Sequence, residues 1–293
     1  MSASYSKKNW MQFLKPFVKR FIGGESLKEA LATLQNLKKE GFKTTLDYLG
    51  ESVTNRDQAL EATQEYIRNL RELNPLGLDK NISIKLTQIG LDIDEGFAKQ
   101  NLIEIVKTAK TMNGFVRVDM EGSAYTEASL RLVSQAHQEI PCIGAVLQTM
   151  LRRTAQDVLL LIKKGVRIRL VKGAYKEPIS IAFQDKRDVD AQYVTIMKRL
   201  LTSGIYHAIA THDEKIINEA ETFVGKMGLK KDSFEFQMLL GIRADLARQL
   251  VKEGWNVRIY VPYGKAWFPY FMRRLRERRE NVWFVIKNLF RGS

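Results

Sequence analysis

Cysteine is nearly absent. Cys142 stands alone in a chain of 293 residues, which excludes an internal disulfide and any cysteine-rich zinc or iron–sulfur site. Histidine is scarce as well: His137, His207 and His212 are the whole set, and no metal-ligand spacing includes them. No apolar run approaches the roughly 18–20 residues that a membrane span needs. The first twenty residues hold lysines but no uninterrupted apolar stretch of the secretory kind. There is no Gly-x-Gly-x-x-Gly after a strand-like run and no Gly-x-x-x-x-Gly-Lys-Ser/Thr, so neither common nucleotide loop is present. No Pro/Gly/Ser linker, low-complexity segment or short repeat divides the chain. The lone cysteine fits a reducing compartment, with the cytoplasm as the default expectation.

Charge is what the chain has in excess. Lys and Arg number 47 against 33 Asp and Glu, a net +14 with a pI near 9.7. Nucleic acid, anionic lipid and anionic substrates are all raised by that balance. Zinc-finger spacing, aromatic RNA-recognition strands and a dimerising basic region are missing, so nucleic acid rests on charge alone. Some of the excess lies in residues 1–20, where Lys7, Lys8, Lys15, Lys19 and Arg20 meet no acid. Trp10, Leu14, Phe17, Val18 and Phe21 recur there at helical spacing, interrupted by Pro16. The segment reads as a basic amphipathic helix, either packed on its own domain or lying on a membrane surface.

Alternation organises the rest. Strand-like runs near Thr44–Leu46, Ile82–Leu86, Phe115–Asp119, Ile143–Gln148, Val166–Val171, His207–Thr211, Phe234–Gln237 and Val257–Val261 are separated by amphipathic helical stretches, for example Ala59–Leu73, Val189–Ser203 and Ala244–Lys252. Eight βα units in a chain of this length predict a (β/α)8 barrel at residues 41–293, preceded by an N-terminal helical segment at 1–40. In such barrels the site is assembled where the strands end. Those ends carry Asp47 and Glu51, Lys85, Asp119 and Glu121, Gln148, Arg169 and Lys172, Thr211 to Asp213, Gln237, and Tyr260. Arg167 and Arg169 inside an apolar strand demand partners or a ligand. A shielded polar cluster at one mouth is expected, serving either a ligand or the barrel's own structure.

The last block, Arg258 to Arg278, reads as a strand that breaks at Pro262 and Gly264 and a helix that restarts at Pro269. Phe268, Phe271, Met272 and Leu275 form its apolar face by spacing, with Tyr270, Arg273, Arg274 and Glu277 opposite. The two arginines are either a solvated face or a fork for a carboxylate or phosphate.

Taken together, the pieces Thr45-Leu-Asp-Tyr-Leu-Gly-Glu51, Ser83-Ile-Lys-Leu86, Val116-Arg-Val-Asp-Met-Glu121, Val146-Leu-Gln148, Val166 to Tyr175, Ala210-Thr-His212, Phe234 to Leu239, and Arg258 to Gly264 through Arg273-Arg274 resemble proline dehydrogenase. They occur in family order over about residues 42–279. The resemblance implies a distorted (β/α)8 barrel with its final helix over the mouth. It also implies hydride transfer from L-proline to FAD, giving Δ1-pyrroline-5-carboxylate, with re-oxidation by a membrane quinone. Lys85, Arg273 and Arg274 then hold the substrate carboxylate, Asp119 positions that cationic cluster, and Tyr260 and Leu239 wall the proline ring. Arg169 lies beside the reactive edge of the flavin. Val171, Lys172, Gly173, Ala174 and Tyr175 cradle its ring and phosphates, with Gln148, Thr211, His212, Gln237 and Glu277 as further contacts. Glu51 matches a gating residue. Asp213 departs from members that carry a neutral amide there. No metal is implied, and no second catalytic half is present, so a separate pyrroline-5-carboxylate dehydrogenase is expected downstream. A (β/α)8 lyase with Lys85 as Schiff-base nucleophile and a basic nucleic-acid-binding protein are the competing readings.

Overall fold

In this computed structural model, residues 20–50 and 53–277 are described, with the backbone alone for 273–277. Eight parallel strands close on themselves in chain order: β1 (Lys43–Tyr48), β2 (Asn81–Ile84), β3 (Phe115–Val118), β4 (Ile143–Gln148), β5 (Arg167–Val171), β6 (Ala208–Ala210), β7 (Glu235–Leu239) and β8 (Val257–Tyr263). The helices α2 (Arg56–Leu73), α3 (Glu95–Thr111), α4 (Thr126–Glu139), α5 (Thr154–Lys163), α6 (Lys186–Leu201), α7 (Glu214–Lys226) and α8 (Ala244–Lys252) connect them. This is the (β/α)8 barrel that the alternation predicts.

Two helices depart from the regular pattern, and together they shape the mouth. Helix α1 (Leu27–Lys39) precedes the barrel and begins with a capping box: Ser26 Oγ accepts the Glu29 N–H, and the Glu29 carboxylate accepts the Ser26 N–H. Its buried stripe, Leu27, Ala30, Leu34 and Leu37, lies on β8 and β1, the groove a helix following β8 would ordinarily fill. The last helix, α9 (Trp267–Glu277), therefore crosses the top instead. It buries Trp267, Tyr270 and Phe271 among Leu49, just past β1, Ile242, just past β7, and Phe21 and Ile22.

Three expectations need correction here. Strand β8 runs through Pro262 to Tyr263 rather than ending before it. The Pro262 carbonyl accepts the Gly23 N–H at 2.7 Å, so the side lacking a donor faces the segment before α1 and not β1. Helix α9 begins at Trp267, two residues before Pro269, which still lies in the first turn where a missing N–H is tolerated. Its buried face is also rotated: Tyr270 is inside and Phe268 is 42% exposed. Phe21 is buried with its ring 5.9 Å from that of Phe271, so at this residue the segment packs on its own domain, one of the two alternatives that the spacing left open. The rest of that amphipathic segment lies outside the described residues.

The hydrophobic core sits outside the barrel, between strands and helices. Outward positions such as Leu46, Ile82, Ile84, Val116, Val118, Ile168, Leu170, Phe236, Met238 and Ile259 are all buried there. The inward face is polar in two tiers. Register pairs Asp47 with Ser83, Ser83 with Arg117, and Arg117 with Gly144, so these share the interior. In the lower tier Arg258 Nε donates to Glu235 at 2.8 Å and its Nη1 to the Thr44 carbonyl at 2.5 Å. Arg117 donates to the Arg167 carbonyl at 2.7 Å and stacks on Phe115.

Gly144 makes room for that guanidinium. A Cβ there would stand 2.4 Å from the Arg167 carbonyl and 2.6 Å from Arg117 Nη1. The Arg167 oxygen belongs to a paired strand and does not yield. Gly144→Ala is expected to destabilise the barrel by about 2–3 kcal/mol through overpacking, read as a lower urea midpoint; an unchanged midpoint would show that the floor is slack.

Candidate active site

The upper tier forms the floor of a cavity of about 1330 Å³ at the C-terminal ends of the strands. Charges alternate across it. Lys85, just past β2, donates to Asp47 at 2.8 Å and lies 4.0 Å from Asp119. Asp119, just past β3, accepts Arg169 Nη1 on one oxygen and the Tyr260 hydroxyl on the other, both at 2.7 Å. Arg169 also donates to Ser83 Oγ at 2.9 Å and to Gln237 Oε1 at 2.5 Å, while its guanidinium lies over the Tyr260 ring. Every hydrogen-bonding nitrogen of Arg169 thus has a partner, which fixes its fork in one orientation. The arrangement is what inward-facing parity on β1, β2, β3, β5, β7 and β8 requires once the floor below is filled.

These contacts set the protonation states. Burial alone would lower the Lys85 pKa, but the Asp47 and Asp119 carboxylates more than offset it and hold the ammonium above its ordinary range. Burial pushes Asp47 up, with Lys85 opposing. Burial, then Asp119 and Asp47, hold Tyr260 well above the usual phenol range, so it stays a neutral donor. A Schiff-base lysine needs a lowered pKa and a free amine. Lys85 has the opposite, and the lyase reading is set aside.

The side walls come from the strand ends and the loops that follow them. Val146, Gln148, Val171, Lys172, Gly173, Ala174 and Tyr175 line one side, and Ala210, Thr211, His212, Gln237, Met238 and Leu239 the other. Gly173 has φ +106°, and a Cβ there would strike Met150 at 2.5 Å, so this bend admits glycine alone. His212 Nε2 accepts the Leu239 N–H at 2.9 Å, so the imidazole braces the end of β7. The Gln148 amide donates to the Glu121 carbonyl, and Glu121 in turn accepts the Thr87 hydroxyl and N–H. Tyr270 and Leu49 form the roof.

The structure thus brings Lys85, Asp119, Gln148, Arg169, Val171, Lys172, Gly173, Ala174, Tyr175, Thr211, His212, Gln237, Leu239 and Tyr260 around one cavity. Residues 273 and 274 follow Tyr270 by three and four on α9, and 277 is its last position; their side chains, and Glu51, lie outside what is described. Sequence reading missed Ser83 and Tyr270 as members of the site and did not see Asp47 as the partner of Lys85. The signal for Ser83 was parity: it stands two before Lys85 on the same strand face.

The model of the family described as "Proline dehydrogenase" matches residues 30–287. The chain belongs to the proline dehydrogenase family. It is 39% identical over 273 residues to "Proline dehydrogenase 1" of Bacillus subtilis subsp. natto, covering 93% of this chain and 90% of that one. It is 38% identical over 280 residues to "Proline dehydrogenase" of Deinococcus radiodurans, with the same shares. Among solved structures, proline utilization A from Bdellovibrio bacteriovorus, inactivated by N-propargylglycine, superposes with a TM-score of 0.84 at 26% identity. That likeness covers 94% of this chain and 33% of the other, so the chain spans about a third of that larger protein. As a proline dehydrogenase the protein is an oxidoreductase, and the reading as a basic nucleic-acid-binding protein gives way. No helix among the described residues is long and apolar enough to cross a membrane.

Proposed function

We propose that the cavity holds FAD and L-proline together and oxidises proline to Δ1-pyrroline-5-carboxylate, with a quinone as the final acceptor. One observation carries this reading: the charged floor with Lys85 and Arg169 and the walls proposed for the flavin open into one continuous space. Its volume of about 1330 Å³ exceeds the usual 300–1,000 Å³ of small-ligand pockets, which suits a dinucleotide beside a small amino acid. The donor set fits as well, with apolar Val146, Val171 and Ala174 for a flat ring and Gln148, Arg169 and Lys172 for its polar edges and phosphates.

Bound there, the flavin supplies the two-electron acceptor, and the chain binds and orients. Lys85, with Arg273 and Arg274 from α9, takes the substrate carboxylate, since bidentate forks fix direction as well as charge. Asp119 acts through its two partners, aiming Arg169 and holding the Tyr260 ring. Tyr260 and Leu239 wall the proline ring, and His212 steadies Leu239 through its N–H. Helix α9 excludes water from above. Thr211, Gln237 and Glu277 complete the flavin set, and Glu51 pairs with an arginine of α9 to gate entry. A separate pyrroline-5-carboxylate dehydrogenase consumes the product. Residues 1–19 give a peripheral foothold on anionic lipid where the quinone resides, a role that vesicle co-sedimentation tests.

The purified protein is expected to be yellow and to bleach anaerobically with L-proline. N-propargylglycine, which inactivates the Bdellovibrio relative, is expected to block that bleaching. Colourless protein that FAD does not reconstitute removes the reading. Arg274→Lys should raise KM about tenfold or more with flavin retained, because lysine keeps the charge and loses the planar fork. A wild-type KM would place Arg274 in solvent.

A further inference from the structure

On the cavity wall formed by the loops after β5 and β6, four charges of alternating sign meet. Lys172 pairs with Asp213 at 2.7 Å and with Asp190 at 2.5 Å. Lys186 pairs with Asp190 and, at 3.3 Å, with Asp213. Lys172, Lys186 and Asp213 line the cavity, while Asp190 closes the cluster from α6. Asp213 has a second role as N-cap of α7, its carboxylate accepting the Lys215 N–H at 3.2 Å. Burial raises the Asp213 pKa, but Lys172 and then Lys186 outweigh it and leave the carboxyl below its ordinary range. The carboxylate is therefore charged at neutral pH. Within this cluster the two ammoniums are matched by two carboxylates, so its cations carry no net positive charge toward an arriving anion.

We propose that Asp213 sets how tightly the cavity retains an anionic cofactor, by competing with the cofactor's phosphates for Lys172. The proposal rests on the flavin reading above and adds to it. A phosphate reaching Lys172 must share the ammonium with Asp213 or displace it, and it meets a like charge either way. The carboxylate weakens binding by the ordinary size of a partly screened contact between charges. A cofactor fragment without phosphates is indifferent to it.

Asp213→Asn isolates this effect, because asparagine caps a helix as well as aspartate and has nearly its volume. The full-length flavin-loaded protein is diluted, and the rise in free-flavin fluorescence gives the dissociation constant. Asp213→Asn is expected to bind FAD about tenfold more tightly, with the gain shrinking in high salt and absent for riboflavin. Lys172→Met should weaken FAD binding, and adding Asp213→Asn to it should recover the part owed to the like charge but not the lost ammonium contact. An unchanged or weaker FAD constant in Asp213→Asn, with wild type binding FAD, overturns this proposal alone. An equal gain for riboflavin overturns it too, since that would be a change in loop packing. If wild type binds no FAD, the flavin reading and this inference fall together.

Discussion

Replacing Lys85 by methionine is expected to raise the KM for proline about a hundredfold and to destabilise the fold in the same step. Methionine keeps the length of the stem and removes only the ammonium. Lys85 donates to Asp47 Oδ1 at 2.8 Å, and the other carboxylate oxygen, Oδ2, is shut off from water. Breaking one side of a buried pair costs about 3–5 kcal/mol, because the charge left behind has lost its compensation. Substrate binding loses a cation from the carboxylate site, on the order of 2–5 kcal/mol. The two effects separate in the double variant Lys85→Met/Asp47→Asn. Its denaturation midpoint should recover most of the loss while KM stays high. A KM near wild type in either variant would show that the proline carboxylate does not approach Lys85.

Glu235→Gln is expected to lower stability by about 3–5 kcal/mol at pH 7, and the deficit should shrink as the pH falls. Burial pushes the Glu235 carboxyl up, but the Arg258 guanidinium at 2.8 Å outweighs it and holds the pKa at about 2, against an ordinary 4.5. A carboxyl depressed on folding stabilises above its unfolded value and loses that contribution as the pH drops through the folded one. Here the window runs from about pH 5 down to about pH 2, and the contribution is about 3 kcal/mol. His207 adds a slope of the same sign, since burial lowers its pKa to about 3 from 6.5. It does so in both proteins, so the difference between wild type and Glu235→Gln isolates the carboxylate. Urea unfolding at pH 7, 4 and 2.5 reads it. A gap that stays constant with pH would mean that Glu235 is not ionised in the folded chain.

The fold was legible because outward strand positions are apolar and carry the β-branched runs, while each intervening helix has one apolar face. Lys85, Asp119 and Arg169 were legible because a charge inside an apolar run needs a partner. Which partner was not. Parity places Thr45 and Asp47, Ser83 and Lys85, Arg117 and Asp119, and Glu235 and Gln237 on inward faces, but it says nothing about depth along the barrel axis. Arg167 and Arg169 look alike in sequence; one lies under the floor against Phe115, and the other reaches Asp119. Depth follows from the stagger between strands, a property of closure rather than of any segment. The misplaced face of α9 has a similar cause. Its burial is decided by Phe21, Leu49 and Ile242, which come from distant parts of the chain. The attachment of Asp213 to Lys172 also arises between loops that no local pattern connects.

Helix α1 covers the seam between β8 and β1, and both of its supports mature at opposite times. Strand β8 leaves the ribosome roughly 200 residues after β1, which at 5–20 residues per second is on the order of ten to forty seconds. Through that interval the stripe Leu27, Ala30, Leu34 and Leu37 has half its covering, and one edge of β1 has no neighbour. The barrel closes only once β8 has emerged to pair with β1. Until then the nascent chain is exposed to aggregation and to chaperone capture at α1 and β1, and slower translation of the segment between β1 and β8 would lengthen that exposure.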